Sequence, residues 1–201
     1  MAKIISADEI KKTLPGYKPD KAEKYHSESA KQADKEFYQA IKEKSYQLVI
    51  LLCGGTASGK TEFLMTHLID RKDVVILDAT LSTVEGAGIK IRNISKLNKQ
   101  LEIYAVIPDD LSRAFIAFLN RDRKFPDTHF YKTHSGCRKT LLWIAESLPS
   151  VKIHVVESTY TKSQKLVFSE LKFENHNQLT DYLSDMQMTE TDIISSVQLK
   201  L

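Results

Sequence analysis

No apolar run in this 201-residue chain exceeds Leu48 to Cys53, far less than a helix needs to cross a bilayer. The opening residues, Met1 to Lys12, lack both the apolar stretch and the small-residue cleavage site of a signal peptide, so no membrane association is expected. The two cysteines, Cys53 and Cys137, lie far apart with no C-x-x-C spacing, and read as reduced thiols of a cytoplasmic protein. Charge of one sign is not concentrated anywhere: the net +3 comes from interspersed Lys and Glu. A large nucleic-acid footprint needs clustered cations, so nucleic acid is not an expected partner. Internal repeats and low-complexity linkers are missing as well. Three motifs are also absent. Asn98-Lys99 is followed by Gln100 and Leu101 rather than completing the N-K-x-D guanine reader, which argues against a GTPase switch. No LSGGQ-like stretch occurs, which removes transporter ATPases. Asp78 is followed by Ala79, where motor-type ATPases usually carry a water-activating Glu.

What the chain does contain is ordinary globular composition, 42% hydrophobic and 27% charged, at a length suited to one domain over residues 1–201. Residues 3–7 form a short apolar run ending before Asp8. Residues 20–44, without Gly or Pro, predict a long helix whose apolar face holds Ala30, Ala33, Phe37, Ala40 and Ile41. Residues 47–53 are too short and too continuously apolar for a surface helix and predict a buried strand. A helix from Gly59 or Lys60 to about Asp70, a strand at 73–77, a helix over 84–100 and a strand at 102–107 come next. Pro108-Asp109-Asp110 opens another helix, expected to bury Leu111, Phe115, Phe118 and Leu119. A further helix over 133–148 stops at Pro149. Strands at 151–156 and 165–171, separated by a polar turn, suggest a terminal hairpin. The stretch from Asn175 on is polar and helical, with fraying expected at its end. Repeated strand-then-helix order predicts an α/β fold of three layers, a mostly parallel sheet with helices on both faces.

Gly54-Gly55-Thr56-Ala57-Ser58-Gly59-Lys60-Thr61 matches the phosphate-binding pattern G-x-x-x-x-G-K-S/T, and lies between a predicted strand and a predicted helix as that pattern requires. Small residues let the backbone curl so that its N–H groups converge on phosphate oxygens, while the new helix points its positive end at the same anion. Lys60 can reach the β- and γ-phosphates of ATP or GTP, and the Thr61 hydroxyl is placed for Mg²⁺. The alternative is a plain Gly-rich turn between a strand and a helix with a solvated lysine; the match without a departure, in the strand-then-helix context the pattern requires, favours the phosphate-binding reading.

Phosphoryl transfer asks for cations on the developing charge and a carboxylate near the attacking hydroxyl. Parallel sheets build sites at C-terminal strand ends, and Asp8 and Asp78 both stand there; each could instead be a helix cap or a loop residue. Arg121, Arg123 and Lys124, with Arg138 further on, are the candidate cations, weighed against the ordinary reading of a solvated helix end. His129, His134 and His154 lack metal-ligand spacing. Trp143 reads as core, and Cys53 as a small apolar residue.

These blocks resemble the zeta toxin family, P-loop kinases whose characterised members phosphorylate nucleotide-activated amino sugars. The resemblance spans roughly residues 3–150. Ala7-Asp8-Glu9-Ile10-Lys11 with Leu14-Pro15-Gly16-Tyr17 is similar to the segment bearing the family's catalytic aspartate, and the helix with His26, Glu28 and Ser29 is similar to the family's next segment. Ile76-Leu77-Asp78-Ala79-Thr80-Leu81 is similar to the strand end that faces the acceptor. Arg121 and Arg123-x-x-Pro126-x-x-His129 resemble the lid. The resemblance implies Asp8 as general base for an acceptor hydroxyl, Asp78 and Thr80 as acceptor contacts, and Arg121 and Arg123, or Arg138 for the second, on the transferring phosphoryl group. It also implies an antitoxin-like partner. The order departs from the family: there the P-loop comes first, whereas here the aspartate-bearing unit, residues 3–45, precedes it. The function expected is transfer of the γ-phosphate to a small acceptor, for which the resemblance suggests a UDP-amino sugar. Other kinase acceptors (a nucleic-acid end, an antibiotic) and a nucleotide-binding regulator without turnover are the alternatives.

Overall fold

Strand β2 (Leu48–Cys53) sets the layering, because its successive side chains point to opposite sides and both sides are covered. Val49, Leu51 and Cys53 face one core layer, Ile50 and Leu52 the other, and all five are fully buried. The computed structural model, which describes residues 2–161 and 165–198, builds a six-stranded sheet in the order β1-β3-β2-β4-β5-β6. Its strands are β1 (Lys3–Ser6), β2, β3 (Val74–Asp78), β4 (Gln100–Pro108), β5 (Lys152–Tyr160) and β6 (Leu166–Glu170). The first five run parallel, and β6 returns antiparallel to β5.

Helices α2 (His26–Ala40), α4 (Val84–Lys96), α6 (Asp127–Ser147) and α7 (His176–Asp185) supply the larger layer, where Phe37, Ile91, Ile94, Leu141, Ile144 and Leu183 meet Ile5, Val49, Leu51, Val75 and Ile103. The opposite face is covered by α3 (Lys60–Phe63), which continues as a π-helical turn at Leu64–Leu68; Phe63, Leu64 and Leu68 pack on Ile50, Leu52, Ile76 and Val106. Helix α5 (Leu111–Leu119) joins α6 and α8 (Glu190–Gln198) in a third cluster around Phe115, Phe118, Phe130 and Ile193. Asp110 caps α5 as expected, accepting from the amides of Ser112 and Arg113 at 2.8 and 3.4 Å. Among the described residues no helix is long and apolar enough to cross a membrane.

Several boundaries differ from the sequence reading, each for a local reason. The strand at 3–7 ends at Ser6, and a short helix, α1 (Ala7–Thr13), begins at once with Asp8 and Glu9 in its first turn. The helix expected over 20–44 is a 3₁₀ segment, Pro19–Tyr25, in which Lys21 leaves helical backbone geometry, followed directly by α2, which ends at Ala40. Helix α6 starts at Asp127, immediately after Pro126, so Phe130 enters the core a turn earlier than expected. Leu119 is 43% exposed, since Phe115 and Phe118 occupy the buried stripe of α5 and Leu119 falls just outside it. The C-terminal stretch forms two helices. The terminal fraying, and part of the turn before residue 165, lie outside the described residues.

Phe37 is fully buried where α2 crosses the sheet. Phe37→Ala should lower unfolding free energy by about 3–5 kcal/mol in a urea titration; a loss under about 1 kcal/mol would mean α2 does not dock through this ring.

Candidate active site

Register carries the candidate residues to one edge. Ser6 and Leu52 both lie level with Asp78, so the chain leaves β1, β2 and β3 side by side at their C-terminal ends. From there Asp8 enters α1, Gly54 opens the glycine-rich loop, and Thr80 follows β3. All of Asp8, Thr56–Thr61, Asp78, Thr80, Arg121 and Arg123 line one cleft of about 520 Å³, whereas Gly54 and Gly55 are buried and do not line it.

The loop itself is buried from Gly54 to Ser58. Gly54 has φ +145°, and a Cβ there would stand 2.3 Å from the Val106 carbonyl oxygen, so only glycine fits. Lys60 Nζ donates to the carbonyls of Gly54 and Gly55 at 2.8 and 3.0 Å. Burial lowers its pKa, and the nearby Asp78 carboxylate works against that. Thr61 Oγ1 donates to Asp78 Oδ2 at 2.9 Å; burial raises the Asp78 pKa while Lys60 and this hydrogen bond oppose it. The Ser58 hydroxyl is buried with no hydrogen-bond partner among the described residues. A loop of close-packed small residues, a helix start, a lysine, a Thr–Asp pair and an orphaned hydroxyl fit a triphosphate with Mg²⁺, the Thr61 and Asp78 oxygens being hard donors suited to that ion.

Asp8 occupies a different electrostatic setting. Arg123 Nη1 pairs with its Oδ2, and Lys11 Nζ with its Oδ1 at 3.2 Å. Burial pushes the Asp8 pKa up, but Arg123 and Lys11 outweigh it and hold the carboxyl at about 2. Lys11, one helical turn from Asp8, is wholly buried and lies 4.8 Å from the centre of the Phe125 ring. Arg121 lines the same cleft and has no ion-pair partner among the described residues. Arg138 does not reach the cleft: it is buried along α6, donating to the His134 carbonyl at 3.0 Å. Thr80 contributes a side chain to the cleft and a carbonyl that accepts from the Gly54 amide at 3.3 Å.

Some residues of the site escaped the sequence reading. Lys11 would have been found by recognising α1, since a Lys three positions after an Asp on a helix can pair with it. Phe125, His26 and His129 form an aromatic wall, with the Phe125 and His129 rings stacked 4.5 Å apart. His134 and Tyr160 reach the loop from more than seventy residues away, and no local signal announces them. Cys53 meets the Thr80 carbonyl at 3.5 Å, and burial pushes its thiol pKa up, so it remains protonated.

Three histidines make the fold acid-sensitive, His26 among them, its pKa lowered by burial and by Lys11. Burial, reinforced by Arg138, takes His134 down to about 3, and burial, with His26 and Lys11, takes His129 to about 4. Below the ordinary pKa of about 6.5 the unfolded chain binds protons that the folded chain refuses, so stability falls as pH drops through that window. For His134 the limiting slope is about 1.4 kcal/mol per pH unit. The low Asp8 pKa acts only below about pH 4, where its contribution is lost toward pH 2, so it does not confound this window. Urea titrations between pH 7 and 4.5 should show the decline, and His134→Gln should flatten it; a pH-independent wild type would contradict the assignment.

No protein-family model matches the chain, and comparison with curated proteins finds no match. Among solved structures, the chain is similar to one in the crystal structure of AvrRxo1-ORF1:-ORF2 with ATP, at 12% identity and a TM-score of 0.52, over 87% of this chain and 74% of that one. The native AvrRxo1-ORF1:-ORF2 complex matches at 11% identity and a TM-score of 0.48, over 92% and 86%. A chain of the PezAT chromosomal toxin-antitoxin system of Streptococcus pneumoniae matches at 13% identity and a TM-score of 0.36, over 83% and 94%. At such identities the first of these likenesses speaks for the fold, an α/β fold with a mostly parallel sheet.

Proposed function

We propose that the chain is a P-loop kinase that transfers the γ-phosphate of ATP or GTP to a hydroxyl of a small acceptor. The observation that carries this reading is the meeting of Lys60, the Thr61–Asp78 pair, Asp8, Arg121 and Arg123 in one cleft. Residues Gly54–Thr61 hold the phosphates through backbone amides and the Lys60 ammonium, whose third N–H is left for a phosphate oxygen beside its two carbonyl partners. Magnesium would be held by the Thr61 hydroxyl, which Asp78 orients through their 2.9 Å hydrogen bond, and would neutralise phosphate charge. Arg121, uncommitted, meets the γ-phosphate. The γ-phosphate also draws Arg123 away from Asp8, and the carboxylate so released becomes basic enough to take the proton of the acceptor hydroxyl. Asp78 and Thr80, at the end of β3, orient that acceptor. A fold-level neighbour solved with ATP is in keeping with nucleotide binding. The zeta toxin resemblance adds the finer reading: a UDP-amino sugar as acceptor and an antitoxin-like protein that blocks the cleft. Two buried free thiols, Cys53 and Cys137, support a reducing, cytoplasmic setting.

A second reading rests on one observation. Asp8, held at about 2 by two cations, is a poor base as it stands, which favours a nucleotide-binding regulator without turnover if Arg123 stays in place.

Incubation with labelled ATP and a panel of hydroxyl acceptors, following ATP loss and product mass together, separates the two. The kinase reading requires a phosphorylated product; tight nucleotide binding with no product would favour the regulator. Lys60→Ala should weaken ATP binding in calorimetry and abolish transfer without unfolding the chain, and unchanged affinity would refute the cradle. Asp8→Asn should keep nucleotide binding and lose transfer by about a hundredfold or more. Equal rates would remove Asp8 as the base.

A further inference from the structure

The glycine-rich loop is held from outside by side chains that do not belong to its motif. Its five carbonyl oxygens from Gly54 to Ser58 are all hydrogen bonded. Lys60 takes the first two. The Thr56 carbonyl accepts from His134 Nε2 at 2.9 Å, the Ala57 carbonyl from the Tyr160 hydroxyl at 2.9 Å, and the Ser58 carbonyl from Ser158 Oγ at 2.8 Å. Thr133 Oγ1 accepts from the Thr56 amide at 3.1 Å. His134 comes from α6, Ser158 and Tyr160 from β5.

The chemistry of these contacts is directional. A carbonyl can only accept, so His134 carries its proton on Nε2, and its Nδ1 faces Arg138 Nη1 at 3.4 Å as an acceptor. In a trans peptide the C=O of one residue and the N–H of the next point opposite ways. Fixing the Thr56 and Ser58 carbonyls therefore fixes the amides of Ala57 and Gly59, and among the described residues neither amide donates to another group. Ala57 sits at φ +62°, a left-handed geometry costly for a residue with a Cβ, and such strain persists only where surroundings over-determine it. The fit is tight: a Cβ on Gly55 would stand 2.3 Å from the His134 ring. His134 and Ser158 are fully buried and do not line the cleft, so neither can touch a ligand directly.

We propose that His134 and Ser158 are positioning residues that preset the phosphate cradle, holding the Thr56 and Ser58 carbonyls away so that the Ala57 and Gly59 amides face the phosphate before it binds. The inference rests on the nucleotide-binding reading above. The loop then needs no rearrangement on binding, and the tethers act on affinity for phosphate rather than on stability alone.

The probe is magnesium tripolyphosphate, which binds through phosphate groups only, titrated calorimetrically into the full chain with the thermal midpoint of the unliganded protein measured in parallel. Ser158→Ala should weaken tripolyphosphate by about fivefold to tenfold, the effect of one lost hydrogen bond, and weaken ATP to the same extent. Ser112→Ala is the matched control: it also removes a buried hydroxyl donating to a carbonyl, that of Ser196 at 3.2 Å, but away from the loop. It should lower the thermal midpoint comparably and leave tripolyphosphate affinity unchanged. His134→Gln, whose amide N–H can take the place of Nε2–H, should keep most of the affinity that His134→Met loses, and this pair decides the matter should Ser158→Ala not fold. Undiminished binding by Ser158→Ala and His134→Met, or an equal loss in Ser112→Ala, overturns the inference while leaving the kinase reading standing. A wild-type chain that binds neither tripolyphosphate nor ATP overturns both.

Discussion

A buried loop that presents amides to an anion must find other partners for its carbonyls, and this constraint organises the protein around Gly54–Ser58. Buried backbone oxygens left unpaired each cost on the order of 1–3 kcal/mol. Five in a row could not stay inside a folded chain. Here they are met by Lys60, His134, Tyr160 and Ser158, and the elements that bring those donors are the ones flanking the loop: α3, α6 and β5. Helix α6 can approach this closely because Gly55 leaves room for the His134 ring and Gly136 for the Ser82 carbonyl.

The charges around the cleft divide into two groups. Lys60, Asp78 and Thr61 belong to the loop and the end of β3, and their buried setting pushes the Lys60 and Asp78 pKa values toward the neutral forms. Asp8, Lys11, Arg121 and Arg123 belong to α1 and the segment after α5, and there the cations keep the carboxyl ionised. An arriving phosphate is drawn to the cations of both groups and competes with the carboxylates for them. In the proposed kinase reading, phosphate binding and acceptor activation would be coupled through Arg123, whose present partner is the carboxylate that would serve as base.

The order of units in the chain matters less to this site than the direction of its strands. Strand β1 lies at the sheet edge with β3 between it and β2, yet Asp8 still lines the cleft, because parallel strands open their C-terminal ends on one side whatever their sequence order. A first strand of the opposite direction would have carried Asp8 to the far end of the sheet.

The sequence by itself determined the elements whose signals are local. The apolar run at Leu48–Cys53 and the Asp110 cap are each complete within a few residues, and each stands as read; the eight-residue pattern between β2 and α3 is equally local. The α/β class came from their alternation. Helix ends were less legible: the break at Lys21 and the early start of α6 depend on neighbouring packing, and Leu119 escaped burial because two phenylalanines competed for the same stripe. Tertiary structure alone decided the partners. That Arg123 rather than Arg138 reaches Asp8, that Lys11 is buried on Phe125, and that His134, Ser158 and Tyr160 hold the loop all depend on contacts across many residues of chain. Such contacts leave no periodicity to read, since a hydrogen bond between distant side chain and backbone is fixed by sheet order and helix docking, not by spacing along the chain.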